Sequence, residues 1–109
     1  MKKIGILGGG QLGRMLLQAA ANYPVETYVM ENDTDCPAAH LCNHFTKGDI
    51  TDFDAVYNFG KNLDAITIEI ENVNEDALSK LESEGIKVED DQVQDFKKVF
   101  WDPAVELAL

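Results

Sequence analysis

Gly8, Gly9 and Gly10 stand together directly after the apolar run Ile4–Leu7, and Gly13 follows, in the stretch GILGGGQLGRM. Gly8, Gly10 and Gly13 have the G-x-G-x-x-G spacing between an apparent strand and an apparent helix. Residues without Cβ reach positive φ and let a ligand approach the backbone, and the helix start supplies N–H groups and a positive dipole end. The chemistry implied is the holding of an anion or a polar ligand atom. The same glycines also serve a tight strand–helix turn that binds nothing. Gln11 falls in the first helical turn, where its amide can donate or accept. Arg14, one turn on, reads either as a ligand contact or as a solvated helix charge. Glu31 ends a second apolar run, TYVME, about where a dinucleotide-binding fold places a carboxylate on a ribose, so a free-standing dinucleotide-binding module is one available reading.

A second stretch with chemical potential is TIEIEN, Thr67 to Asn72. Side chains alternate along a strand, so Glu69 and Glu71 share one side. Two like charges on a buried strand are costly, which places at least one near the strand's mouth with a partner, unless both are surface carboxylates at the sheet edge. A carboxylate at the mouth suits an amine or hydroxyls.

The elements that must position these residues alternate strand and helix. Lys3–Leu7 reads as a buried strand and Gln11–Asn22 as a helix with Leu12, Met15, Leu16 and Ala19 on one face, closed by Pro24. Thr27–Glu31 is a second strand. Asp35–Cys42 suits a short helical turn with Pro37 in its first turn, and a short strand falls near His44–Thr46. Thr51–Gly60 reads as a helix with Phe53, Val56, Tyr57 and Gly60 on one side. Ala65–Ile70 is the clearest strand. Asn74 caps a helix through Glu84 with Ala77, Leu78 and Leu81 inward, Gly85 ends it in the left-handed conformation, and Ile86–Val88 is a last strand. The expectation is an α/β fold, a small Rossmann-like doubly wound parallel sheet, with Lys3–Leu7 central between Thr27–Glu31 and Ala65–Ile70. After Val88 the composition changes to EDDQVQDFKKVFWDPAVELAL. Val93, Phe96, Val99 and Phe100 stand near helical spacing there, and Asp102 and Pro103 suit the start of a further turn.

With 109 residues and a 45% hydrophobic fraction, the chain suits one domain with a real core. A net charge of −11 argues against nucleic acid as a partner, which needs a basic face, but leaves room for one phosphorylated small molecule. No apolar run is long enough to span a membrane, and Ile4–Leu7 is too short for a signal peptide's apolar region. Cys36 and Cys42, with His40 and His44 nearby, lack a second half-site for a metal and read as reduced thiols of a cytoplasmic protein.

Taken together, GGGQLGRM (Gly8–Met15), DTDCPAAHLCNHFTKGDITD (Asp33–Asp52) and DAITIEIENV (Asp64–Val73) resemble the N-terminal, pre-ATP-grasp domain of the carboxyaminoimidazole ribonucleotide synthetases. Order and spacing agree, and the resemblance covers residues 1–88; residues 89–109 do not match the family pattern. The family implies an ATP-dependent ligase of purine biosynthesis that carboxylates aminoimidazole ribonucleotide with bicarbonate through a carboxyphosphate-like intermediate. It implies ATP and magnesium for the full-length enzyme and none bound by this chain. It also implies a ribonucleotide as the partner, held weakly by this part alone, and a homodimer as one assembly open to it. By resemblance Gly10, Gln11, Leu12 and Glu69 line the substrate pocket, with no catalytic residue and no metal ligand on this chain. The family continues beyond GIKV with a proline-serine turn, a helix and the ATP-grasp region. The sequence departs there, so this chain alone is expected to be inactive.

Overall fold

The computed structural model describes residues 1–68 and 72–89. The elements are β1 (Lys2–Leu7), α1 (Gln11–Ala20), β2 (Val25–Glu31), β3 (His44–Lys47), α2 (Phe53–Gly60), β4 (Ala65–Ile68), α3 (Glu75–Ser83) and β5 (Lys87–Glu89). All five strands are parallel, in the order β3-β2-β1-β4-β5. β1 is central between β2 and β4, as the apolar runs require. Ile6 lies opposite Val29 on one side and Thr67 on the other. The chain proceeds outward through β2 and β3, then returns to the other side of β1 for β4 and β5. The β1–β4 boundary is therefore the switch point of a doubly wound sheet, outside whose carboxyl end such folds place ligands.

Each face of the sheet has its own core. On one, Leu16, Leu17 and Ala20 of α1 cluster with Ile4, Ile6 and Val29. On the other, Val56 of α2 and Ala77, Leu78 and Leu81 of α3 cluster with Leu7, Met30, Ile66 and Ile68. The start of β4 is fastened to β1 twice, by the Lys3 N–H donating to Asp64 Oδ2 at 2.8 Å and the Asp64 N–H donating to the Lys3 carbonyl at 2.9 Å.

The Asn74 cap, the inward face of α3 and the left-handed Gly85 (φ +98°) agree with the sequence reading. Three local expectations are corrected. Met15 is 50% exposed and not part of the inward face of α1, because the sheet meets the neighbouring stripe of Leu16, Leu17 and Ala20. Asp35–Cys42 forms consecutive turns and not a helix: the N–H groups of Cys36, Ala39 and Leu41 reach carbonyls three residues back, while the Ala38 N–H goes to Gly9. α2 begins at Phe53 and not at Thr51, since Asp52 is its cap and accepts the Ala55 N–H at 2.9 Å. Ile70 and the expected helical spacing after Val88 lie outside the described residues.

Candidate functional site

β1 ends at Leu7, and Gly8 turns the chain at φ +104°, a conformation that costs glycine little and other residues much. Its N–H donates to the Met30 carbonyl at 2.9 Å, so the turn stays fastened to β2. Gly9 lies against the segment after β2: a Cβ there would overlap Cys36 Sγ and stand 3.1 Å from Glu31 Cγ. The Gly9 carbonyl accepts the Ala38 N–H at 3.0 Å. A Cβ on Gly13 would stand 3.0 Å from the Gly8 carbonyl oxygen, so α1 packs on its own turn there. Gly8, Gly9 and Gly13 are thereby accounted for by conformation and close packing.

Gly10 differs. It is the N-cap of α1 in an extended conformation (φ −74°, ψ −161°), with no side-chain cap and no acidic residue in the first turn. Its carbonyl accepts the Arg14 N–H at 3.0 Å, so the helix starts cleanly. The first-turn N–H groups have no intrahelical acceptors and carry the positive end of the helix dipole. Gln11 in this turn is exposed, Gly10 is half-buried, and Leu12 belongs to the same turn. Arg14 is exposed.

Ile68, the last described residue of β4, lies opposite Leu7, the last residue of β1. β4, which ends with the Thr67–Ile68 that opens TIEIEN, therefore reaches the carboxyl edge beside the glycine turn. Glu69 and Glu71 themselves lie outside the described residues.

Glu31, at the end of β2, accepts the Asp33 N–H, and Asp33 Oδ1 accepts the Asp35 N–H at 2.9 Å. These turns lead into Cys36, which is 4% exposed. Burial first, and then the nearby Glu31 charge, push the Cys36 thiol above its ordinary pKa, and its sulfur packs against Gly9. Cys36 and Cys42 are both free thiols. Among the described residues no three His, Cys, Asp or Glu side chains gather to hold a metal ion.

Glu31, singled out by its place at the end of a strand, also lines a cavity of about 220 Å³ at the same edge together with Asn32, Asp49, Ile50, Thr51 and Asn72, none of which is marked as a site residue by the sequence. These residues follow β2, β3 and β4, so only the fold brings them together. Asp49 Oδ1 accepts the Thr51 hydroxyl at 2.6 Å and the Thr51 N–H at 2.8 Å, and these bonds, the hydroxyl first, hold its carboxyl below the usual range. Asn74 joins the loops: its N–H donates to the Ile50 carbonyl at 2.8 Å and its side-chain amide to the Thr51 carbonyl at 3.1 Å.

Comparison with known proteins adds the family. The model of the ribonucleotide synthetase preATP-grasp domain matches residues 1–94. The chain is 41% identical over 83 residues to the chloroplastic phosphoribosylaminoimidazole carboxylase of Vigna aconitifolia, covering 76% of this chain and 15% of that protein. It is 45% identical over 78 residues to the N5-carboxyaminoimidazole ribonucleotide synthase of Brucella melitensis, covering 72% of this chain and 22% of that one. Among solved structures, the N5-carboxyaminoimidazole ribonucleotide synthetase of Thermotoga maritima superposes with a TM-score of 0.76 at 32% identity, over 81% of this chain and 24% of that one. The N5-carboxyaminoimidazole synthase of Aspergillus clavatus, solved with ADP and 5-aminoimidazole ribonucleotide, gives a TM-score of 0.71 at 37% identity, over 81% and 23%. The chain thus spans between 15% and 22% of the length of these curated relatives.

Proposed function

The chain belongs to the ribonucleotide synthetase pre-ATP-grasp domain family, and from that membership we propose that its glycine turn is the substrate half-site of an ATP-dependent ligase that carboxylates aminoimidazole ribonucleotide with bicarbonate. The observation that carries the reading is the start of α1. It lies at the switch point of the sheet, opened by a glycine with no side-chain cap, next to the strand that leads to Glu69. The backbone N–H groups of Gly10, Gln11 and Leu12 receive polar or anionic atoms of the ribonucleotide. The Glu69 carboxylate accepts a hydrogen bond from its amine or hydroxyls, worth about 1.5–3 kcal/mol for a charged acceptor. On this reading ATP and magnesium are not held by Gly10, Gln11, Leu12 or Glu69.

Half a pocket holds its ligand weakly. The expected dissociation constant of this chain for aminoimidazole ribonucleotide is about 1 mM, equivalent to roughly 4 kcal/mol. Saturating ribonucleotide should raise the melting temperature, because a ligand that binds only the folded state stabilises it. Glu69→Ala should weaken binding at least tenfold. The chain alone should show no bicarbonate- and ribonucleotide-dependent ATP hydrolysis. Unchanged affinity in Glu69→Ala, or hydrolysis that survives repurification, would overturn the assignment.

A further inference from the structure

We propose that the cavity at the carboxyl ends of β2 and β3 is a ribosyl subsite that reads the vicinal diol of a nucleoside. The proposal rests on a different group of residues from the glycine turn and Glu69, so either reading can fail without the other.

The lining sets the chemistry. Glu31 and Asp49 supply carboxylates, Asn32 and Asn72 supply amides, Thr51 supplies a hydroxyl, and Ile50 supplies an apolar patch. Each carboxylate is already oriented through one oxygen. Glu31 Oε2 accepts the Asp33 N–H, and Asp49 Oδ1 accepts both Thr51 donors. The second oxygen of each has no hydrogen-bond partner among the described residues and remains an acceptor. Among the described residues that line the cavity there is no lysine or arginine. Two carboxylates without a cation repel a phosphate, so the nucleotide's anionic end is excluded from this pocket. A metal ion is disfavoured as well, because no three ligating side chains gather among the described residues. What two fixed acceptors and flanking amides accommodate is a neutral group with adjacent hydroxyl donors, its carbon face against Ile50. The topology agrees independently. In nucleotide-binding sheets of this winding, a carboxylate at the end of the second strand, roughly 20 residues after the glycine turn, takes ribose hydroxyls. Glu31 occupies that place. The loops around it are preorganised by the Asn74 bonds to the Ile50 and Thr51 carbonyls, so little ordering is left for the ligand to induce.

The diol can come from a separate nucleoside or from the ribose of the ribonucleotide itself, and the test separates the two. The isotope-labelled 109-residue chain is titrated with adenosine, with 2′,3′-dideoxyadenosine and with 5-aminoimidazole ribonucleotide, following backbone amide resonances. Adenosine should shift Asn32, Thr51 and Asn72 saturably, and the dideoxy compound should bind at least tenfold more weakly. Glu31→Gln keeps an oxygen for the Asp33 N–H but loses the charged acceptor, and should weaken adenosine at least fivefold. Asp49→Asn does the same at the other wall and serves if the first variant misfolds, which its amide spectrum would reveal. Displacement of adenosine by the ribonucleotide assigns the diol to the substrate's own ribose; simultaneous binding assigns it to a second nucleoside. Equal affinity for adenosine and its dideoxy analogue, or shifts confined to Gly10–Arg14, would overturn the proposal.

Discussion

At the start of α2 the Asp52 carboxylate accepts the Ala55 N–H at 2.9 Å, and at the start of α3 the Asn74 amide oxygen accepts the Ala77 N–H at 2.9 Å. Both helices also carry acidic residues in the first turn, Asp54 in one and Glu75 and Asp76 in the other. At the start of α1, Gly10 has no side chain to offer and the first turn has no acid. In α2 and α3 the cap side chain satisfies one orphan donor and the first-turn acids oppose the dipole; α1 has neither a side-chain cap nor a first-turn acid. The contrast is what the proposed ribonucleotide half-site at the start of α1 requires. It also implies that α1 is held by its packed face and not by its cap.

The largest effect expected from that contrast is on the packed face. Leu16 is fully buried, so Leu16→Ala should destabilise the fold by about 2–5 kcal/mol in denaturant unfolding. A loss below 1 kcal/mol would mean that α1 is anchored elsewhere. Next comes the crossover variant Gly10→Asp, which gives α1 the cap its neighbours have. Stability should stay level or rise by a few tenths of a kcal/mol, while affinity for the ribonucleotide falls at least tenfold, about 1.4 kcal/mol. If both quantities moved together, the open start would be structural. Asn74→Ala and Asp52→Ala should each cost about 1 kcal/mol of stability. Asp52→Ala should leave ribonucleotide affinity unaltered, since Asp52 lies outside the glycine-turn half-site. The smallest effect falls on Met15→Ala. With half the side chain in solvent, the change should stay within about 0.5 kcal/mol, and a larger loss would restore Met15 to the core.

The same contrast marks what could be read from the sequence. Asn74 and Gly85 are legible because a cap and a left-handed helix end depend on residues a few positions apart. The central place of β1 follows from unbroken apolar runs that only a doubly covered strand can carry. The place of Met15 is not legible, because Leu12–Met15–Leu16–Ala19 and Leu16–Leu17–Ala20 are overlapping stripes of one helix and only the sheet decides between them. Asp35–Cys42 suits a short helical turn by its composition, and nothing local shows that the Ala38 N–H is drawn to Gly9, far away in the chain. The glycine turn itself was legible, but the reasons for its separate glycines were not: Gly9 makes room for Cys36, and Gly13 for the Gly8 carbonyl. Of the cavity's lining only Glu31 is legible, from its place at the end of a strand; Asp49 and Asn72 come from loops after other strands, which only the fold brings beside it.

The central claim is that α1 begins at a ligand site whereas α2 and α3 begin at closed caps. The most direct test compares all the helix starts in one amide spectrum during titration with 5-aminoimidazole ribonucleotide. The account predicts saturable shifts of the Gly10, Gln11 and Leu12 amides with a dissociation constant of about 1 mM. The amides of Ala55 and Ala77, already bonded to Asp52 and Asn74, should stay in place. Stationary Gly10–Leu12 amides at saturating ribonucleotide, or equal shifts at all the helix starts, would contradict it.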